Sequence, residues 1–374
     1  MSRRVLQVLY SGLGGHAAVA LPLIEAGGME DPWEHRLLFY GIEPVAQGYR
    51  DAAARLGVAY DYVPARQGRP WAGWPNLMRA LRAARADAVI LHSIKTILPA
   101  RLALRSTPIV AVEHQANALK TPAEWGASLM AQRLADRVVT LSPDYRATLA
   151  RRLGRAFRAD RTALVPTGID LAPFGSTDRP VDNDRAGAPF RIGMAGRFTP
   201  TKAQGVLVAA LARLRAAHPG RDWRLSLPGD GPCHAAVRAA VAQAGLDAQV
   251  EMPGHLPSDA LPGWFETLDL YAHSSDGETL STALLQAMAA ELPIVASDVA
   301  GISDLLGPPG AGQEPLGRLV PARDVDAFAT AIAALAQDAC GRIFLAGRAR
   351  AHVLARHSPE AMRAGYDAVL KPVR

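Results

Sequence analysis
Cysteine is scarce: 374 residues hold two, Cys233 and Cys340. They lie too far apart for zinc-ligand spacing. Two thiols in a chain this long do not make a disulfide scaffold, and they fit a reducing cytoplasm. No cluster of His, Cys, Asp and Glu has metal-ligand spacing, so no metal and no cofactor is expected to be required. No apolar run is long enough to cross a bilayer. The stretch Val5 to Tyr10, behind Arg3 and Arg4, is interrupted by Gln7 and leads into a glycine loop. That argues for a first strand rather than a signal peptide. No short-period repeat is present.

What is present is globular: 49% apolar and 20% charged residues. The length exceeds one ordinary core and suggests two domains. The net charge of +6 favours an anionic partner, whether a membrane surface, a nucleotide or nucleic acid. Short apolar runs alternate with helical patterns. Strands are expected at Val5 to Tyr10, His35 to Tyr40, Tyr60 to Val63, Ala88 to Leu91, Ile109 to Glu113 and Val138 to Ser142. A helix is expected from Gly15 to Ala26.

A polar stretch rich in Pro, Asp, Asn and Gly, Ser176 to Pro189, reads as a linker. The pattern then restarts, with strands at Phe190 to Ala195, Arg224 to Leu227, Val250 to Met252, Leu270 to His273 and Pro293 to Ala296, and a helix at Val206 to Ala217. The expected fold is α/β: Rossmann-like parallel-sheet domains at 1–175 and 190–355. Their ligands would lie beyond the carboxyl ends of the strands, in a cleft between facing sheets. A last helix, Pro359 to Leu370 within 356–374, has the spacing to pack on either domain.

Chemistry-bearing residues fall where these strands end. Ser274 to Gly277 is turn chemistry, followed by an apolar helical face at Leu280, Leu284, Leu285 and Met288. Ser281 and Thr282 stand at the helix start, where their hydroxyls can cap it. An anion suits the bare amides and positive dipole end there, with Glu278 before the helix and Gln286 two turns in. A capped surface helix explains the same pattern. Gly196-Arg197-Phe198-Thr199-Pro200-Thr201-Lys202 offers a guanidinium fork and an ammonium over one loop. This is what a departing diphosphate needs, since its charge must be neutralised; two solvated cations are the plain alternative. Gly12-Leu13-Gly14-Gly15-His16-Ala17 fits a dinucleotide fingerprint of the G-x-G-x-x-A form, or a tight turn. Its acidic partner would be Glu43, past the tip of the second strand. His92 and His114 each end a strand, able to meet a sugar hydroxyl or shuttle a proton, or to serve as structural hydrogen-bonding groups. Gly229-Asp230-Gly231-Pro232 reads as a turn. Gly301 permits a close backbone approach.

Together, Gly196-Arg197 with Lys202, Gly229-Asp230-Gly231-Pro232, Gly254, Glu278 with Gln286-Ala287-Met288-Ala289, and Pro293-Ile294-Val295-Ala296-Ser297 resemble glycosyltransferase family 4. Val165-Pro166-Thr167-Gly168-Ile169-Asp170 with Phe174 and the Gly14-Gly15 loop are similar to further family segments. The resemblance spans nearly the whole chain, most firmly 160 to 330. It implies the GT-B fold, a retaining transfer by a front-face route, and a nucleotide-diphosphate donor, with UDP the expected nucleotide. It implies that Arg197 and Lys202 hold the diphosphate. Glu278 would contact the donor sugar, and the amides of Leu280, Ser281 and Thr282 would face sugar and phosphate. Gly14, Gly15, Gly196, Gly254, Thr279 and Gln286 complete the donor side, with His114 near the transferred sugar and His16 and His92 on the acceptor side. Gln286 replaces a second Glu usual in the family, and Thr279 and Ser281 replace glycines. The terminal helix would cross back onto the first domain.

Arg66, Arg69, Trp71, Trp74, Arg79, Arg82 and Arg85 crowd one stretch, with Leu77, Met78 and Leu81 interleaved. This suits a helix on an anionic bilayer, or an ordinary amphipathic helix with a solvated basic face. A lipid-linked or glycan acceptor is expected, as in lipopolysaccharide or other surface polysaccharide synthesis. The expected location is cytoplasmic, peripheral at the inner face of the inner membrane. The competing readings are an NAD-dependent oxidoreductase resting on the Gly12 loop, and a sugar-nucleotide epimerase or phosphorylase on a similar fold. A nucleic-acid binder is disfavoured, because the basic residues are not joined to a stacking platform or recognition motif.

Overall fold
Two all-parallel sheets organise the protein, seen in a computed structural model that describes residues 3–12, 17–27, 32–175, 188–307 and 315–371. The chain divides into one unit of Met1–Asp170 with His357–Arg374 and a second of Leu171–Arg356. The expected linker lies outside the described residues except for 188 and 189.

The first unit holds β1 (Arg3–Leu9), β2 (Trp33–Gly41), β3 (Tyr60–Pro64), β4 (Ala88–Leu91), β5 (Ile109–Val112), β6 (Arg137–Thr140) and β7 (Thr162–Leu164), in the order β3-β2-β1-β4-β5-β6-β7. The second holds β8 (Phe190–Gly193), β9 (Trp223–Ser226), β10 (Val250–Glu251), β11 (Leu270–His273), β12 (Ile294–Ser297) and β13 (Arg318–Val320), in the order β10-β9-β8-β11-β12-β13. Every strand pair is parallel. The central strands β4, β5, β11 and β12 are buried along their whole length, as parallel strands covered on both faces must be. Both orders reverse direction between the first and fourth strands, which is where such sheets bind ligands.

The strands differ from expectation mainly at their ends. Ser142 is not strand; its hydroxyl accepts from the Tyr145 amide at 3.2 Å and caps the helix Pro143–Leu153. Residues 194 and 195 have left the strand beginning at Phe190, and β9 runs one residue earlier than the pattern placed it. β7 and β13 were not anticipated: each is a three-residue edge strand, too short for periodicity to register.

The terminal helix Pro359–Leu370 packs on the first unit. Met362, Tyr366, Val369 and Leu370 join Val5, Val19, Leu23 and Val110 in one buried cluster, and Trp33 Nε1 donates to Asp367 at 3.0 Å. The chain enters that helix tightly, since a Cβ on Gly168 would lie 2.4 Å from the Ser358 carbonyl oxygen.

Candidate functional site
In the second unit, β8 and β11 are neighbours although two strands separate them in sequence. The loops leaving them carry Gly196, Arg197 and Lys202 on one side and Glu278 to Ser281 on the other, and backbone and hydroxyl groups lace those loops together. Asp276 N donates to the Thr201 carbonyl at 2.8 Å, and Ser274 Oγ donates to those of Lys202 and Ala203 at 3.0 and 3.1 Å. The next loop joins in: Ser297 Oγ accepts from Ser275 N at 3.0 Å. A Cβ on Gly301 would sit 2.6 Å from the carbonyl oxygens of Glu278 and Thr279, so this glycine allows the close approach its position suggested.

That framework brings Lys202 and Glu278 together as an ion pair, with side chains 22% and 12% exposed. The same carboxylate oxygen accepts from His273 Nε2 at 3.1 Å and Ser275 Oγ at 3.3 Å. Burial alone would raise the Glu278 carboxyl. The Lys202 charge and the His273 hydrogen bond outweigh it and hold the group at about 2. Burial pushes the His273 ring below its ordinary value despite the carboxylate beside it. A neutral His273 therefore donates through Nε2. The result is a carboxylate fixed by three donors, one of them a cation.

Arg197 is exposed on the same loop as Lys202, and its carbonyl accepts from Gln204 at 2.9 Å. Gly196 N donates to the Pro228 carbonyl at 3.1 Å, and Gly229 N to that of Gly254 at 2.7 Å. Gly229 has φ +138°, and a Cβ there would meet the Gly196 carbonyl oxygen at 2.0 Å. These glycines thus let three strand-end loops touch. The helix Thr282–Ala289 starts where expected, but Ser281 alone is the cap, accepting from Leu284 N; Thr282 is already helical. Leu284, Leu285 and Met288 are fully buried, Thr279 is buried, and Leu280 and Gln286 are half-buried.

In the first unit the same topological point lies between β1 and β4. Gly14, Gly15 and His16 lie outside the described residues. Gly12 is described, and a Cβ on it would lie 2.1 Å from Glu43 Oε2. Ser11 Oγ donates to the Glu43 carbonyl at 2.6 Å. Glu43 therefore reaches the glycine loop even though it stands beyond its strand's tip.

His92 and His114 are brought together, Nδ1 of the former 3.0 Å from Nε2 of the latter. His92 Nε2 is 2.9 Å from Gln7 Oε1, and Gln7 Nε2 is 3.4 Å from His35 Nδ1. Both His92 and His114 line a cavity of about 450 Å³, with Tyr10, Tyr40, Trp74, Arg66, Lys95 and Glu124 among its other walls. Glu124 is saturated: Lys95, Gln115 and the Thr121 amide and hydroxyl all donate to it, at 2.8 to 2.9 Å. Burial would raise this carboxyl, and Lys95 with the Thr121 amide and hydroxyl hold it at about 2. Behind it, the wholly buried Lys120 donates to Glu113 at 2.9 Å and Ser128 at 2.7 Å. Tyr145 also donates to Glu113, at 2.9 Å. Burial lowers the Lys120 ammonium below its usual range against the pull of Glu113.

The basic stretch is partly reorganised. Trp71 is 58% exposed, and Arg66, Arg69, Arg79 and Arg82 are exposed. Arg85, however, lies past the helix Trp74–Ala83 in left-handed backbone, so it does not extend the helical row.

His273, Gln7, Glu124 and Lys120 were not singled out from sequence. His273 carried the same signal as His92 and His114, a histidine at a strand end. Among the described residues no cluster of His, Cys, Asp and Glu could hold a metal ion, and no single helix is long and apolar enough to cross a membrane.

Residues 32–173 match the profile of Glycosyltransferase Family 4, and residues 189–338 that of Glycosyl transferases group 1. Over 186 residues, 47% of this chain, it is 34% identical to the 2-deoxystreptamine glucosyltransferase of Streptomyces kanamyceticus. Over 174 residues, 45% of the chain, it is 30% identical to the D-inositol 3-phosphate glycosyltransferase of Arthrobacter sp.. The matches span less than half the length of these two relatives, 46% and 41%. The fold is similar to that of Anabaena HepE, solved with UDP and glucose, at a TM-score of 0.80 and 17% identity over the whole of both chains.

Proposed function
Because this chain belongs to glycosyltransferase family 4, with the GT-B fold, we propose that it moves a sugar from a nucleotide-diphosphate donor to a hydroxyl of a glycan or lipid-linked acceptor, with retention of anomeric configuration. The observation that carries the reading is the meeting of Lys202 with Glu278 at the switch point of the second sheet. There a cation stands ready for diphosphate, and a carboxylate held ionised stands ready for sugar hydroxyls. UDP leads the donor expectation because HepE was solved with UDP and glucose.

In this mechanism Lys202, the exposed Arg197 and the amino end of the helix Thr282–Ala289 neutralise charge developing on the departing diphosphate. That is the largest share of the catalysis. The leaving phosphate takes the acceptor proton. Glu278 orients the sugar, His273 and Ser275 fix Glu278, and Gln286 hydrogen-bonds the ribose diol without adding charge. The 450 Å³ cavity by His92 and His114 receives sugar on the acceptor side.

Trp71 and the exposed arginines 66, 69, 79 and 82 are proposed to rest on anionic lipid, bringing the cavity to a lipid-linked acceptor of surface polysaccharide synthesis. Flotation with liposomes, with and without anionic lipid, tests the membrane part; lack of binding in both removes it. A screen of nucleotide sugars for thermal protection and slow hydrolysis tests the whole. A UDP-sugar is expected to protect and be hydrolysed, and protection by NAD alone would overturn the reading.

A further inference from the structure
The chain leaving β3 at Pro64 enters the cavity wall at once: Ala65, Arg66, Gln67 and Gly68 all line it. Its backbone is pinned there. Ala65 N donates to the Gly41 carbonyl at 2.7 Å, which extends the pairing of β2 with β3 by one residue. Arg69 N donates to the Arg66 carbonyl at 3.2 Å, and Gly68 between them has φ +71°. That closes a four-residue turn, with glycine at the left-handed place it takes without strain. Arg66 is the first residue of this turn and so stands at a fixed point of the wall. Arg69, Arg79 and Arg82, exposed like it, are not among the described wall residues.

The described wall carries three cations, Arg66, Lys95 and Lys120, against one carboxylate, Glu124. Two of the cations are matched. Lys95 pairs with Glu124 at 2.8 Å. Lys120 pairs with Glu113 at 2.9 Å, and its ammonium lies over the rings of Trp125 and Tyr145 at 4.6 and 4.9 Å. Among the described residues nothing pairs with the Arg66 guanidinium; the residue is held through its backbone. One positive charge is therefore left over. The carboxylate is the converse case. Lys95, Gln115 and the Thr121 amide and hydroxyl already fill it, since a carboxylate has about four acceptor sites. A cationic ligand finds no open partner there. Tyr10, Tyr40 and Trp74 add aromatic wall. Aromatic surface with a few placed polar groups is the ordinary make-up of a small-molecule site, and it suits the C–H faces of a sugar ring.

We propose that the sugar received in this cavity carries an oxyanion, a carboxylate or a phosphate, and that the Arg66 guanidinium binds it. Two parallel N–H donors of the guanidinium match either group. The proposal rests on the transfer reading above for what the cavity receives. It narrows the acceptor to an acidic sugar, whether a uronic acid or a sugar joined to phosphate, and sets amino sugars aside.

The experiment is titration of four glycosides into the full chain, followed by ligand-observed NMR: methyl glucoside, methyl glucuronide, methyl glucoside 6-phosphate and methyl glucosaminide. An acidic glycoside is expected to bind about tenfold or more tighter than the neutral one, the scale of one charge-assisted contact. The glucosaminide is expected to bind no tighter than the neutral one. Preference for the glucuronide alone assigns a carboxylate, and for the phosphate alone a phosphate. Arg66→Gln is expected to remove the preference, and Arg66→Lys, which keeps the charge without the fork, to retain part of it. Arg66 is exposed, unchanged melting checks that both variants fold, and the series in the unmodified protein needs no variant. Equal binding of acidic and neutral glycosides, tightest binding of the glucosaminide, a preference undiminished in Arg66→Gln, or no saturable binding of any of the four would overturn the proposal. No donor turns over in this experiment. If the chain hydrolyses no nucleotide sugar, the transfer reading fails, and the charge preference is still decided here.

Discussion

Each sheet carries a polar cluster at the same topological point, between its first and fourth strands, but the two clusters are built from opposite chemistry. Beyond β8 and β11 the cluster is ionic: Lys202 and Glu278 pair directly, with His273 and Ser275 on the same oxygen. In the first sheet it is a hydrogen-bonded series of His114, His92 and Gln7, and the nearby Glu124, paired with Lys95, is also held in a helix cap. One topology thus presents two kinds of surface. An ion pair stands where an ionised group is expected, and imidazole and amide groups stand where hydroxyls are expected.

The sharpest way to break the contrast is Lys202→Ala. It is expected to cost roughly a hundredfold or more in turnover, the scale of losing one stabiliser of a charged transition state, measured by steady-state donor consumption. His114→Ala is expected to cost about ten- to a hundredfold, toward the lower end for one positioned hydrogen-bonding or proton-handling group, with donor affinity nearly unchanged.

A pH series probes the ionic cluster, which combines a depressed carboxyl with a depressed imidazole. Glu278 sits at about 2 in the folded protein against an ordinary 4.5. Its stabilisation is present above 4.5 and is lost as pH falls toward 2. His273, lowered from 6.5, resists a proton that the unfolded chain takes freely, so it too costs stability as pH falls below 6.5. Urea midpoints are expected to fall between pH 7 and pH 3, and Glu278→Gln to flatten the part below 4.5.

Two backbone changes give smaller effects. Gly229→Ala adds a Cβ 2.0 Å from a carbonyl oxygen at φ +138° and is expected to cost about 1–3 kcal/mol. Ala203, just after Lys202, has φ +48°. Ala203→Gly relieves that left-handed strain and is expected to raise stability by up to ~1 kcal/mol. Both are read from Tm.

The strands were legible because parallel strands buried on both faces are nearly unbroken apolar runs, such as Ala88 to Leu91 and Ile294 to Val295. β7 and β13 were not, because three residues at a sheet edge need no such run. On the ionic side Lys202 and Glu278 stood out from sequence, since charge at a strand end is visible there. Their direct pairing was not, because it depends on loops 76 residues apart meeting through the carbonyls of Thr201 and Lys202. The series of His114, His92 and Gln7 was least legible. His92 and His114 were read as separate strand ends, and Gln7 as a mere interruption of an apolar stretch. Their contact has no trace in residue spacing; it exists only once the strands are laid side by side.

Calorimetric titration of UDP into the unmodified protein, Lys202→Ala and Lys95→Ala tests the division of labour most directly. Saturable binding is predicted, weakened about tenfold or more by Lys202→Ala, the scale of losing a charge-assisted contact, and left intact by Lys95→Ala. Absence of saturable binding, or a loss from Lys95→Ala as large as that from Lys202→Ala, would contradict it.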